Sequence, residues 1–155
     1  MSQRIMSWRH LAAIGTISLL AACAQTAPAP APLASNPPPV PPGANATWYH
    51  IEFASGSRVI DTKGKMVVAD VTSRLQQNPS EIATIIGKTD SVGSADYNMH
   101  LSHQRADAVR DALVYHANVS ADRVETRWTG ETRQRVATAN NVPAEQNRVV
   151  DIAIH

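Results

Sequence analysis

A proline-rich stretch divides this chain and limits where a folded domain can lie. Residues 24–46 read AQTAPAPAPLASNPPPVPPGANA and contain most of the chain's 10 prolines. Proline fixes its own φ and lacks a backbone N–H, so this stretch cannot join a sheet or a helix interior. We expect an extended, solvated linker that spans roughly 70 Å at about 3.1 Å per residue. The folded part should then run over residues 47–155.

The first 22 residues have the pattern of an export signal. Arg4 and Arg9 form a basic start, and residues 11–22 are uncharged and mostly apolar. That apolar span is shorter than the roughly 20 residues that a transmembrane helix needs. The signal ends in the letters LAAC, and its cysteine, Cys23, is the only one in the chain.

The LAAC sequence resembles the lipobox of bacterial lipoproteins. The resemblance implies cleavage before Cys23 and acylation of its thiol and of its new amino group, and two or more acyl chains anchor a protein stably. A plain secretory signal with a chance cysteine is the alternative. Ala24 favours the outer membrane in bacteria that sort lipoproteins by the second residue. Cleavage would leave 12 of the 14 basic residues against 13 acidic ones, a net charge of −1.

Composition argues against several other classes of protein. The formal net charge is +1, the aromatic content is 5%, and no long run of one sign occurs, which gives little support for a nucleic-acid binder. One cysteine supplies neither a disulfide framework nor a cysteine-based zinc site. His100 and His103 have metal-compatible spacing but fall on the solvated side of a predicted helix. We therefore expect no metal and no cofactor.

Hydrophobic periodicity in the folded part alternates between strand and helix spacing. Strands are predicted in TWYHIEF, EIATIIG, RVETRWTG and NRVVDIAIH. Asp61 should cap a first helix that stops at Asn78, just before Pro79. A second helix carries Arg105. The order β-α-β-α-β-β implies parallel crossovers packed on one sheet.

Arg105 interrupts the apolar stripe of the second helix. Leu101 and Val109 lie four residues to either side of it. Burying an unpaired charge costs several kcal/mol, so this arginine needs a partner. The partner is either an internal carboxylate, such as Asp90 in a pair that merely ties helix to strand, or a ligand.

Short motifs follow one another in a fixed order along the folded part. They are Gly87-Lys88-Thr89-Asp90, Gly93, Tyr97-Asn98, Leu101-Ser102, Arg105-Ala106, Val109, Leu113, Gly130 and Asn147-Arg148. With the lipobox and the linker, this series resembles the OmpA-like peptidoglycan-binding domain family, which includes the peptidoglycan-associated lipoproteins. The resemblance implies an α+β two-layer sandwich, with a mixed four-stranded sheet and two main helices on one face.

The resemblance also implies a cleft for the peptide stem of peptidoglycan. In the family, the aspartate of the TD turn and the arginine of the LSxxRA helix hold the end of diaminopimelate, and these correspond to Asp90 and Arg105. The chemistry agrees, because a zwitterion needs an acceptor for its ammonium and a two-pronged donor for its carboxylate. The further candidate binding residues are Thr89, Asn98, Leu101, Ser102 and Arg148.

The chain departs from the family near its C-terminus. Relatives usually have NRRV before the last strand, whereas this chain has NRVV, so only Arg148 is left to support the ligand or Asp90. Trp128 is interpreted as core. Four further arginines are interpreted as a solvated edge, with a partner-protein contact or a glycan rim as the alternative: Arg123, Arg127, Arg133 and Arg135.

The function expected from the sequence is a non-catalytic one. We expect a lipid-anchored outer-membrane protein that faces the periplasm and binds peptidoglycan, which tethers the membrane to the cell wall. The alternative is a structural component of a larger envelope assembly that docks protein partners, such as Tol-system components. An envelope hydrolase is disfavoured, since Ser102, His103 and Asp90 are triad residue types but no G-x-S-x-G elbow is present.

Overall fold

The computed structural model of the chain describes residues 46–155. The predicted signal peptide, Cys23 and nearly all of the linker lie outside the described residues. The strands are β1 (Thr47–Glu52), β2 (Ala83–Gly87), β3 (Val124–Trp128) and β4 (Val149–Ile154), and the main helices are α1 (Thr62–Gln77) and α2 (Ala95–Asp111). Within this part of the chain, neither helix has the length and apolar character that crossing a membrane requires.

The four strands form one mixed sheet in the order β1-β4-β2-β3. β4 is antiparallel to β1 and to β2, and β2 is parallel to β3. Because β4 lies inside the sheet, all six of its residues are buried, including Asp151. The predicted α+β architecture, with two helices and a mixed four-stranded sheet, is confirmed.

The predicted first helix is confirmed at both ends. The Asp61 side chain accepts a hydrogen bond of 2.7 Å from the Gly64 amide, which satisfies one of the free N–H groups at the helix start. Asn78 is the C-cap, directly before Pro79. Val71 and Leu75 are fully buried against the sheet, so the apolar face that the sequence indicates is the face that packs.

α2 approaches β2 unusually closely, and this contact positions the candidate site. A Cβ on Gly87, the last residue of β2, would lie 2.0 Å from the Ser102 carbonyl oxygen, so only glycine fits there. Ser94 caps the helix by accepting from the Tyr97 amide at 3.2 Å. The turn after β2 therefore meets the middle of α2, where Arg105 lies.

One surface assignment from the sequence was wrong, and a second residue is less exposed than its place on the helix suggests. Arg123 is half-buried rather than solvated, because its guanidinium donates to the carbonyls of Leu75, Asn78 and Glu81. His103 stacks on Trp128 with ring centroids 3.8 Å apart, so it is half-buried at the side of the helix. Residue spacing within one element could not reveal either contact, since both depend on a neighbouring element.

Candidate functional site

The Arg105 guanidinium lies at the centre of the candidate site and is fully buried. Nε donates to the Ser57 carbonyl at 2.8 Å, one terminal nitrogen to the Lys88 carbonyl at 3.0 Å, and the other to the Ala54 carbonyl at 3.1 Å. The expected choice between a carboxylate and a ligand therefore omitted a third kind of partner. Backbone carbonyls satisfy this buried cation without neutralising it.

The surroundings of Arg105 modulate its charge. Burial lowers the pKa of Arg105 to about 10, the Asp90 carboxylate opposes this shift, and the charge of Arg148 adds to it. The Phe53 ring lies beneath the guanidinium, 5.2 Å from centroid to Cζ, a favourable cation–π distance. Arg105 is therefore still protonated at neutral pH, and the negative charge of Asp90 stabilises this protonated form.

Asp90 is bonded to Arg148 rather than to Arg105. Its Oδ2 accepts from the Arg148 guanidinium at 3.1 Å and from the Ala144 amide at 3.3 Å. Arg148 also donates to the Phe53 carbonyl at 3.1 Å, which holds it in place. Both bonds to Asp90 end on Oδ2, so among residues 46–155 its Oδ1 has no hydrogen-bond partner. Of the two roles that the sequence left open for Arg148, the contact matches support of Asp90.

Thr89, next to Asp90 in the chain, and Asn98, in the same helix as Arg105, each have an unpartnered polar atom. Both residues are almost completely buried. Within the described part of the chain, Thr89 Oγ1 and Asn98 Oδ1 have no hydrogen-bond partner. A buried polar group without a partner costs about 1–3 kcal/mol, so such atoms are characteristic of places that receive a ligand or water.

Ser102 and Leu101 occupy different positions from these two. The Ser102 hydroxyl donates to the Met99 carbonyl at 2.8 Å and accepts from the Gly130 amide at 3.0 Å. These bonds use Ser102 to fix the turn after β3 against α2. Leu101 is buried with 6% exposure. The predicted site residues are thus divided between a charged group around Asp90 and a structural contact at Ser102.

An exposed loop closes the site over Arg105. Residues 54–58 follow β1 and are mostly exposed, yet they supply two of the three carbonyls that hold the guanidinium. Gly56 in this loop has φ of +62°, a conformation that glycine adopts without strain. The loop thereby encloses the guanidinium, which is not exposed to solvent. Loop carbonyls carry no residue-type signature, so sequence reasoning had no means of finding this closure.

The chemistry of the arrangement is recognition of charge. Two guanidiniums and one carboxylate with a free oxygen lie together, and the neighbouring residues Thr89 and Asn98 each have an unpartnered oxygen. Over the described range 46–155, no group of three or more His, Cys, Asp or Glu side chains is placed to hold a metal ion. The donors and acceptors suit a ligand that carries both an ammonium and a carboxylate.

A mixed sheet with two helices on one face, and an Asp–Arg constellation between β2 and α2, define an OmpA-like α+β domain. The OmpA family model matches residues 52–149, and the chain belongs to that family.

Two relatives give the extent of the similarity. The chain is 33% identical over 105 residues to the probable lipoprotein YiaD of Escherichia coli K12, which covers 68% of this chain and 48% of that protein. It is 41% identical over 78 residues to outer membrane porin F of Pseudomonas aeruginosa, which covers 50% of this chain and 21% of the porin. The match therefore spans about half of the first relative and about a fifth of the second.

Solved structures show the same fold. The peptidoglycan-associated lipoprotein of Burkholderia pseudomallei matches with a TM-score of 0.63 and 24% identity, over 68% of this chain and 89% of that one. A periplasmic domain of Helicobacter pylori MotB matches with a TM-score of 0.58 and 15% identity, over 70% of this chain and 73% of that one. At these identities, the likeness establishes the fold alone.

Proposed function

We propose that this chain is a non-catalytic, lipid-anchored outer-membrane protein that binds peptidoglycan through the diaminopimelate of the stem peptide. The observation that carries the proposal is the buried, charged Arg105 beside an Asp90 whose Oδ1 is free for a ligand. The name of the Burkholderia protein, a peptidoglycan-associated lipoprotein, supports the same ligand class. The domain would hold the cell wall noncovalently and so tether the outer membrane to it.

In the proposed complex, each charged end of the amino-acid zwitterion has its own partner. Asp90 Oδ1 accepts from the ammonium, while Arg148 keeps Oδ2 occupied. Arg105 donates to the carboxylate after it releases the carbonyls of Ala54 and Ser57. The donor is charged in both states, but the exchange replaces a neutral acceptor with a charged one, and hydrogen bonds between two ionised groups are the stronger kind. In this proposal, ligand binding competes with loop closure for two of the N–H groups of Arg105, those that donate to Ser57 and Ala54.

The test is retention of the full chain on purified, diaminopimelate-containing sacculi. Asp90→Asn should reduce retention at least tenfold, because the ammonium loses its charged acceptor, a difference of about 1.4 kcal/mol or more. Asp151→Asn is the matched control. Asp151 is equally buried, with 5% exposure, and is also ion-paired, in its case to Lys88 at 2.8 Å, but it lies on β4.

Retention of Asp90→Asn at the wild-type level would refute this assignment of the ammonium site. Equal losses in the Asp90 and Asp151 variants would indicate general destabilisation rather than a lost contact. A folded wild-type chain that sacculi do not retain would refute peptidoglycan binding itself.

Docking of protein partners in a larger envelope assembly is the second candidate function. A groove of about 700 Å³ between α1 and α2, lined by Val68, Ala69, Ala108 and Ala112 among others, favours it. Under this alternative, the full chain would co-purify with envelope proteins, such as Tol-system components, and would show no retention on sacculi.

The lipid anchor has its own test. Cys23→Ser should release the chain from membranes and abolish uptake of labelled palmitate, because a serine cannot form the thioether of a lipoprotein. Cys23 is the only cysteine, so no other thiol competes for the label. Membrane retention by this variant would contradict the anchor and would leave the proposed peptidoglycan site unaffected.

A further inference from the structure

Glu131 fixes which side of the Asn98 amide faces the site. The Asn98 Nδ2 donates to Glu131 Oε2 at 2.7 Å, across 33 residues of sequence. The other end of the amide, Oδ1, is buried without a partner in the described part of the chain. Oδ1 lies beside the turn that follows β2, 4.0 Å from the point a Cβ on Gly93 would occupy. The amide therefore presents an acceptor, not a donor, toward Gly93 in the turn that follows Asp90.

The turn that carries Glu131 is itself held tightly. The Gly130 amide donates to the Ser102 hydroxyl at 3.0 Å, and the Gly130 carbonyl accepts from the Thr89 amide at 2.9 Å. A Cβ on Gly130 would lie 3.3 Å from the Met99 backbone, so the turn is in close contact with α2. Its position relative to Asn98 is set by backbone contacts on both sides. Glu131 thus has a defined location within the site.

We propose that Glu131 is a positioning residue that orients Asn98 Oδ1 as a second acceptor for the ammonium of the bound amino acid. The inference rests on the proposed function, since it concerns the same site. An asparagine amide has an acceptor at one end and two donors at the other, and the two orientations are nearly equal in shape. A carboxylate at Nδ2 selects one of them. The site then offers two oxygens, from Asp90 and Asn98, to a cationic group.

This geometry determines specificity as well as affinity. A free ammonium can donate to both oxygens, whereas an acetylated nitrogen has lost its charge and two of its donors. A reversed Asn98 amide would place its NH₂ group against the ammonium, which is unfavourable. The orientation set by Glu131 therefore favours a ligand whose amine is free.

The experiment measures binding of the full chain to a stem tripeptide that ends in meso-diaminopimelate, with the terminal amine free or acetylated. Glu131→Gln retains an acceptor and should bind within about twofold of wild type. Glu131→Ala should bind the free amine about fivefold more weakly, and Glu131→Lys, which draws Oδ1 toward itself, more than about tenfold more weakly. Among these variants, only Glu131→Lys should lose part of the preference for the free amine over the acetylated one, and the part that Asp90 supplies should remain.

Glu125→Lys is the matched control, because it makes the same charge change on exposed β3 surface where Glu125 pairs with Arg127 at 3.3 Å. It should bind and discriminate as wild type does. The side-chain amide resonances of Asn98 should shift in Glu131→Ala and Glu131→Lys and stay in place in Glu131→Gln.

Unchanged discrimination in Glu131→Lys, with wild-type binding intact, would overturn this inference and leave the proposed function standing. A wild-type chain that binds neither tripeptide would overturn both. Equal effects of Glu125→Lys and Glu131→Lys would also overturn it, because they would point to overall charge.

Discussion

Two arginines in this domain make the same kind of contact in different surroundings. Arg105 donates to the carbonyls of Ala54, Ser57 and Lys88. Arg123 donates to the carbonyls of three other residues, which are Leu75, Asn78 and Glu81, at 2.6–3.0 Å. Each guanidinium thereby holds backbone segments that are distant in sequence. Residue type and the kind of acceptor do not distinguish them.

The surroundings do distinguish the two arginines. The carbonyls around Arg123 belong to the end of α1 and the connection after it, where a cation complements the helix dipole. The carbonyls around Arg105 belong to loops, the charges of Asp90 and Arg148 act on it, and unpartnered oxygens occur on Thr89, next to Asp90, and on Asn98, in the same helix as Arg105. Hydrogen bonds from an arginine to backbone carbonyls therefore do not by themselves indicate a binding role. A binding role is indicated by the unsatisfied groups around it.

The largest expected effect comes from replacing each arginine with lysine. Lysine keeps the charge but loses the planar fork, so each variant should lose hydrogen bonds to carbonyls. Arg105→Lys should lower the free energy of unfolding by about 2–3 kcal/mol, because the site is fully buried. It should also reduce retention on sacculi at least tenfold. Arg123→Lys should cost about 1 kcal/mol and leave retention unchanged.

Urea unfolding and the sacculus assay, on the same preparations, check both numbers. Loss of retention in Arg123→Lys, or full retention in folded Arg105→Lys, would remove the distinction between the two arginines.

Hydrogen exchange should separate the two sites by their response to ligand. The Ser57 amide donates to the Ala54 carbonyl at 3.1 Å, and the Glu81 amide donates to the Asn78 carbonyl at 3.1 Å. If a ligand carboxylate displaces Ala54 and Ser57 from Arg105, the Ser57 amide should exchange about three- to tenfold faster with the stem tripeptide than without it. The Glu81 amide should not change.

Slower exchange at Ser57 in the complex would contradict the proposed competition, since it would mean that the loop closes further on the ligand. Equal acceleration at Ser57 and Glu81 would indicate a global change in stability.

The fold was largely predictable from the sequence, because it depends on local patterns. The cap at Asp61, the stop before Pro79 and the alternation in β1 are local signals, and each was confirmed. The burial of Arg105 was also predictable, since its place in the apolar stripe is a local property. Its partners were not, because any loop residue presents a carbonyl.

The same reasoning accounts for Glu131. Its contact with Asn98 depends on how the turn after β3 meets α2, which no single segment encodes. The signal that was present in the sequence is Gly130, whose position in the motif series marks a close approach of backbone to helix. Because Gly130 is held against α2, the next residue, Glu131, lies beside Asn98.

The smallest effect tests how strongly burial penalises the charge of Arg105. Burial lowers the pKa of Arg105 in the folded state to about 10, below its value in the unfolded chain. At pH values above this, the unfolded state binds more protons, so the contribution of Arg105 to stability rises with pH. The difference in unfolding free energy between wild type and Arg105→Met should therefore shift in favour of wild type by about 0.8 kcal/mol between about pH 9 and pH 10.5. Arg123→Met controls for the general loss of a cation. A constant or shrinking difference for Arg105→Met would mean that the three carbonyls and Asp90 compensate the burial of this charge completely.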